Sequence, residues 1–254
     1  MRLALTRKVS PAMDRCELTH LARTTIDIAL AEAQHLAYER CIESLGCKVE
    51  SLPAEPDLPD SVFVEDAAIV LDELAVITRP GAESRRAETA SLAKALEPYR
   101  PLAFIEAPGV LDGGDVLRIG KRLWVGLSGR TNAAGVQQLA AALAPHRYTV
   151  EGVPVRGCLH LKSAVTQIAR DAALLNPARV DANAFPGLRA LEVAPSEPMA
   201  GNALLVDDAV IYPSAFPETR RRMEVLGIRV ISLDVSEIAK AEGGVTCCSL
   251  IFEV

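Results

Sequence analysis

The sequence predicts an α/β fold assembled from repeated hairpin-plus-helix units. Three observations predict it: pairs of short apolar runs flank brief polar turns, successive pairs begin about 40 to 50 residues apart, and most pairs lead into a segment with helical apolar spacing. Units repeated at that interval signal a propeller or a solenoid. An open α/β sheet with antiparallel hairpins is the alternative that the pattern leaves standing.

The elements follow in chain order. Residues 3–6 form a first strand, and the last strand, residues 249–254, lacks a hairpin partner, so the two can pair and close a ring. The longest helix spans roughly 25–45, with a stripe through Ile26, Leu30, Ala33, Ala37, Cys41 and Leu45 and Gly46 as its end signal. Residues 52–59 carry three prolines and read as a surface loop within one domain spanning 1–254. The first hairpin joins 68–71 to 75–78 across Asp72 and Glu73, and the second joins 116–119 to 123–126 across Gly120 and Lys121. The third joins 165–168 to 172–175, and the fourth joins 203–206 to 210–212 across Asp207 and Asp208. Helical spacing follows at 89–96 (Leu92, Ala93, Leu96), at 136–143 (Val136, Leu139, Ala140, Leu143) and at 218–226, which stops at Gly227.

Half of the 254 residues are hydrophobic, enough to bury a core, yet no apolar run approaches the roughly 20 residues that span a bilayer. The N-terminus turns charged too early for a signal peptide, so a cytoplasmic protein without membrane contact is expected. A net charge of -6 and few aromatic residues disfavour nucleic acid as a partner and suit cationic small molecules. The six cysteines show neither a Cys-x-x-Cys pair nor a histidine at zinc spacing, so no metal site is expected. Cys16, Cys41, Cys47 and Cys158 read as small buried hydrophobes; of the neighbours Cys247 and Cys248, one reads as functional and the other as packing.

The chemistry gathers in a few segments. Residues 243–249, Gly-Gly-Val-Thr-Cys-Cys-Ser, set a thiol where a glycine turn gives way to an apolar strand, a place suited to a nucleophile. Asp60, Glu65 and Asp66 surround a run that reads as a strand; in an extended chain Glu65 and Asp66 face opposite ways, so both reach one ligand only if the strand ends or bulges there. They are either turn acids or a match for the planar, permanently charged guanidinium. Arg85 and Arg130 each stand before a helix, where the macrodipole gives them nothing; they can hold an amino-acid carboxylate, pair with an acid, or face solvent. In 111–116, Leu-Asp-Gly-Gly-Asp-Val, Asp112 is the better candidate for orienting an imidazole or gripping a substrate nitrogen, while Asp115 reads as a strand starter. Among four histidines, His20, His35 and His146 need no function, and His160, at the head of a strand, is left as the proton partner for the thiol. A thiol, an imidazole and paired carboxylates together point to covalent attack on a cationic carbon.

In order along nearly the whole chain, these segments resemble the dimethylarginine dimethylaminohydrolase family of the guanidino-group modifying enzymes. The matches are 60–66 (Asp-Ser-Val-Phe-Val-Glu-Asp), 78–86 (Thr-Arg-Pro-Gly-Ala-Glu-Ser-Arg-Arg), 111–117 (Leu-Asp-Gly-Gly-Asp-Val-Leu), 130–132 (Arg-Thr-Asn), 159–162 (Leu-His-Leu-Lys) and 243–249. The resemblance implies a five-bladed α/β propeller, the pentein fold, around a central pocket. It implies Cys247 as nucleophile, His160 as acid and base, and Asp112, where some members carry Glu, as the carboxylate supporting the histidine. Asp60, Glu65 and Asp66 match substrate-binding acids, Arg85 and Arg130 match arginines for the substrate carboxylate, and Leu18 matches a residue of the lid. The implied reaction is hydrolysis of methylated arginine to citrulline and dimethylamine or methylamine without a cofactor. Arginine deiminase or citrulline hydrolase activity on the same scaffold, a catalytically silent methylarginine-binding protein, and a homodimer are compatible with the same residues.

Overall fold

The computed structural model describes residues 1–254 as five three-stranded sheets arranged in a ring. From the N-terminus come β1 (Arg2–Arg7), α1 (Ile28–Ser44), β2 (Lys48–Leu52) and the short α2 (Val64–Ala67). The first hairpin unit holds β3 (Ala68–Val70), β4 (Ala75–Ile77), α3 (Glu88–Leu96) and β5 (Leu102–Phe104), and the second holds β6 (Val116–Ile119), β7 (Arg122–Leu127), α4 (Ala133–Leu143) and β8 (Thr149–Pro154). The third has strands alone, β9 (Val165–Ala169), β10 (Ala172–Leu175) and β11 (Arg189–Glu192). The fourth holds β12 (Leu204–Val206), β13 (Ala209–Pro213), α5 (Pro217–Val225) and β14 (Arg229–Leu233), before α6 (Ser236–Lys240) and β15 (Leu250–Glu253).

Every sheet repeats one plan, an antiparallel hairpin whose second strand then pairs in parallel with a third. The ring closes through the ends of the chain: β15 supplies the first hairpin strand to β1, with Arg2 opposite Glu253 and Leu5 opposite Leu250, and β2 completes that blade in parallel. The expected pairing of the two termini and the five-bladed α/β propeller are therefore present.

The middle strand of each blade is apolar on both faces because it meets a neighbouring blade on either side. Along β7, Leu123 and Val125 pack towards the blade of β4, while Trp124 packs towards the blade of β10. Likewise Leu3 and Leu5 of β1 face one neighbour and Ala4 the other. Five hydrophobic clusters result, one between each adjacent pair of blades, instead of a single central core.

Three sequence expectations need correction. Each blade has a third, parallel strand where hairpins alone were expected; these strands are short, mixed in polarity and largely half-exposed at the sheet edge, so period-2 alternation is faint in them. The buried face of α1 carries Ala31, Gln34, His35, Tyr38, Cys41 and Ile42, while Leu30, Ala33 and Ala37 are exposed. Polar residues occupy that face because they have partners inside: Gln34 donates to Asp234 and Ser236, and the Tyr38 hydroxyl donates to the Val245 carbonyl. Finally, Val64–Ala67 is a helical turn and not the end of a strand. No helix is long and apolar enough to cross a membrane.

One consequence of the plan positions the site. The segment leading into the first strand of each blade runs at the hub, so Glu65 and Asp66 before β3, Asp112 and Asp115 before β6, His160 and Lys162 before β9, Asn202 before β12, and Thr246 and Cys247 before β15 converge there.

Candidate active site

The thiol segment is built by close approach. After α6, Glu242 takes a left-handed backbone with φ of 59° and turns the chain inward. A Cβ on Gly244 would come within 2.4 Å of the Asn202 Oδ1, so only glycine fits beside that carboxamide. The Gly244 amide donates to the Cys247 Sγ at 3.3 Å, and the Cys247 carbonyl accepts from the Glu65 amide at 3.1 Å. Cys248 points away into the hydrophobic cluster beneath and is buried, whereas Cys247 is partly exposed. The Cys247 thiol is pushed up to about 12, first by burial and then by the charges of Glu65 and Asp66.

His160 begins a tight turn, Leu161–Ser163, ahead of β9. Its Nε2 lies 2.9 Å from the Asp112 Oδ2, and its Nδ1 lies 3.8 Å from the Asp66 Oδ1. Burial works against its charge, but Asp66, Asp112 and Asp115 outweigh burial and raise it to about 9. Asp112 is wholly buried behind the imidazole, and its other oxygen accepts from the Gly81 amide at 2.8 Å. Asp115 does more than start a strand: it accepts from the Leu161 amide at 2.8 Å and from the hydroxyls of Thr131 and Ser128 at 2.7 and 2.6 Å. It thereby ties the histidine turn to the neighbouring blade.

The helical turn α2 explains how adjacent acids serve one site. Asp66 accepts from Arg85 at 2.6 Å and from the Gly114 amide at 3.0 Å, and His160 and Arg85 hold its carboxyl below the usual range despite burial. Glu65 takes the Lys162 ammonium at 2.5 Å on one oxygen and the Thr246 hydroxyl at 2.8 Å on the other. Burial raises the Glu65 carboxyl, and Lys162 opposes that rise. Arg85 is buried and committed to protein acids, pairing with Asp66 at 2.6 Å and Glu88 at 2.8 Å. Arg130 is freer, with one nitrogen 3.8 Å from Asp112 and another donating to the Thr19 hydroxyl at 3.0 Å.

Cys247, His160, Asp60, Asp66, Arg85 and Arg130 line one pocket, together with Glu17, Phe63, Leu159 and the residues Ala241 to Gly243. Asp112 and Glu65 stand behind this wall, supporting His160 and the thiol segment respectively. Leu18 packs against the apolar cluster below Cys247, and its neighbour Glu17 meets the pocket. The Glu17 amide donates to Asp60 at 3.0 Å, and one oxygen of Glu242 accepts from the amides of Thr19, His20 and Leu21. Residues 17–21 are thus strapped over the pocket by backbone contacts. A wider cavity of about 440 Å³ lies on the other side of Cys247 and shares Leu159, Glu242, Gly243 and Cys247 with the first. Buried Asp66, Asp112 and His160 converge closely enough to offer three ligand atoms to an ion, but Arg85 and the Gly114 amide already occupy Asp66.

A thiol, an imidazole and acids lining one pocket are an arrangement for attack on a cationic carbon. The family model described as arginine deiminase matches residues 12–193. The dimethylarginine dimethylaminohydrolase of Streptomyces coelicolor is 42% identical over 97% of this chain and 95% of its own. That of Pseudomonas aeruginosa is 37% identical over 94% of each chain. The chain belongs to the dimethylarginine dimethylaminohydrolase family. A solved dimethylarginine dimethylaminohydrolase from Pseudomonas aeruginosa, a cysteine-to-serine variant complexed with citrulline, superposes with a TM-score of 0.94 at 35% identity over 98% of both chains. Another dimethylarginine dimethylaminohydrolase structure, an adduct with S-methyl-L-thiocitrulline, gives 0.93 at 35% identity over 98% of this chain and 99% of the other. Around the pocket of this dimethylarginine dimethylaminohydrolase family member stand further residues to which the sequence assigned no role, Lys162, Thr246, Asn202, Glu17 and Glu242, and Asp115, expected only to start a strand. Lys162 lies two residues after the histidine and Thr246 directly before the cysteine; Asn202 and Glu242 carry no local signal.

Proposed function

We propose that this protein hydrolyses Nω-methylated arginines, asymmetric dimethylarginine and monomethylarginine, to citrulline and dimethylamine or methylamine, with Cys247 as nucleophile and His160 as proton carrier. The observation that carries the reading is that Cys247 and the buried His160 line one pocket walled by acids. At neutral pH the resting pair is a thiol and a charged histidine. A bound guanidinium supplies the positive charge that a thiolate needs; Asp60, engaged through one oxygen only, suits its nitrogens, and Asp66, already paired with Arg85 and the Gly114 amide, adds negative charge to the wall.

As the thiol releases its proton to solvent, the Cys247 sulfur bonds to the guanidinium carbon. His160, held by Asp112, gives its proton to the alkylated nitrogen, and the carbon–nitrogen bond breaks to release a neutral amine. The carbon remains on sulfur as an S-alkylthiouronium. Water then adds to it with His160 taking a proton, and the carbon–sulfur bond breaks as the remaining hydroxyl proton passes to sulfur, leaving the ureido group of citrulline and the free cysteine thiol. One water is consumed and one amine released per turnover. Arg130, whose only acid partner is Asp112 at 3.8 Å, suits the substrate carboxylate better than Arg85, whose nitrogens already serve Asp66 and Glu88 at 2.6 and 2.8 Å.

Separate incubation with asymmetric dimethylarginine, monomethylarginine, arginine and citrulline tests the reading through amine, ammonia and citrulline release. Methylamines and citrulline from the first two are expected, and loss of turnover with retained binding in Cys247→Ser. Ammonia from arginine as the dominant product would establish a deiminase instead, the activity for which the matching family model is named.

A further inference from the structure

Four of the five blades bring a charged or nucleophilic side chain to the hub; the blade of β12 to β14 brings only Asn202. Its carboxamide is fully engaged in one orientation. Nδ2 donates to the Lys162 carbonyl and to the Thr246 hydroxyl, both at 3.0 Å, and Oδ1 accepts from the Thr246 amide at 3.2 Å. Turning the amide over would set NH2 against an N–H and oxygen against a carbonyl, so the chain itself fixes the assignment.

These bonds complete a closed ring. Asn202 holds the Lys162 backbone, the Lys162 ammonium meets one oxygen of Glu65, the Thr246 hydroxyl donates to the other, and Thr246 returns to Asn202. Each remaining member adjoins a group that faces the pocket: Thr246 precedes Cys247, Lys162 lies two residues beyond His160, and Glu65 precedes Asp66. Gly244, which donates to the Cys247 sulfur, packs directly on the same carboxamide. We infer that Asn202 is a positioning residue that sets the separation and angle between the thiol segment and the histidine turn. It acts through Thr246 and Lys162; it borders the wider cavity and is not on the wall of the pocket that holds Cys247 and His160 together. This assignment rests on the proposed hydrolysis for its kinetic consequence.

Asn202→Asp keeps the shape and the acceptor for the Thr246 amide while removing both Nδ2 donations, and Asn202→Ala removes all three bonds. In the full chain, kcat for asymmetric dimethylarginine falls on the order of 10²-fold, the scale of a misplacement of about 1 Å. KM and citrulline affinity stay within about threefold, because the binding groups remain in place. Without any substrate, iodoacetamide labelling of Cys247 in Asn202→Ala, located by mass spectrometry, is several-fold faster at about pH 8 as the thiol leaves its acid-flanked seat. The inference is overturned by kcat within about threefold of the wild type in both variants, by a KM that rises in step with the loss of kcat, by an unaltered labelling rate, or by loss of the folded state in both. If the wild-type chain itself releases no methylamine, the hydrolase reading fails, and the labelling arm still decides the role of Asn202.

Discussion

Cys247 rests as a thiol until a cation enters the pocket, and the size of that effect follows from the site. With the thiol pushed up to about 12, roughly one molecule in 10⁴ carries thiolate at about pH 8, against about one in ten for a cysteine titrating at 9.0. A unit positive charge about 4 Å away, at an effective dielectric of about 20, is worth about 4 kcal/mol, which corresponds to about three pKa units. A guanidinium therefore returns the thiol to the range of an ordinary cysteine. The ultraviolet absorbance of the thiolate, corrected with Cys247→Ser, measures this directly. In the free protein the Cys247 signal emerges only above about pH 10, and Glu65→Gln, which deletes an anion and releases the Lys162 charge, moves it downward. A Cys247 thiolate at neutral pH in the free protein would refute the reasoning, since the flanking acids would then not control the thiol.

Three further outcomes are expected. His160 is raised to about 9, so its contribution to stability is complete below about pH 6.5 and lost as pH climbs through about 9; denaturant unfolding of the wild type and His160→Gln should differ by up to about 3 kcal/mol at about pH 6, and the difference should shrink by about pH 10. Gly114→Ala would put a Cβ within 2.6 Å of both the Asp66 Oδ1 and the His160 Nδ1, so amine release should fall at least about 10²-fold even if the variant folds. Glu242→Gln weakens the acceptor for three amides of residues 17–21; hydrogen exchange there should quicken and KM should rise about tenfold with kcat less affected.

The parts of the fold that could be read in the sequence are those under two-sided burial. Val76, Leu123 to Val125, Ala173 to Leu175 and Val210 to Tyr212 lie on middle strands that must be apolar throughout, so the hairpins stand out along the chain. The parallel third strands had no such pressure: Arg189 to Glu192 is half solvent-facing, and its partner register is supplied by β10, not by its own alternation. The buried face of α1 departs from its apolar stripe for a related reason. Its inner face touches the nucleophile segment, so Gln34 and Tyr38 are buried for their hydrogen bonds, and hydrophobicity alone points to the wrong side.

The site followed the same division between local and assembled signals. Cys247 and Asp112 stand out in the sequence through the glycines before the thiol and between Asp112 and Asp115, Asp66 stands out through the acid pair that it forms with Glu65, and His160 is reached by elimination among four histidines. Opposite facing of Glu65 and Asp66 presupposes a strand; a single helical turn instead places both acids inside, one on Lys162 and the other on Arg85. Asn202 had no comparable neighbourhood, since its partners lie 40 and 44 residues away and meet it only when the ring closes. Closure depends in turn on β1 pairing with β15, which draws the thiol segment to the hub. A change that weakens this terminal pairing should therefore lower turnover before it unfolds the blades, because the thiol segment leads directly into β15.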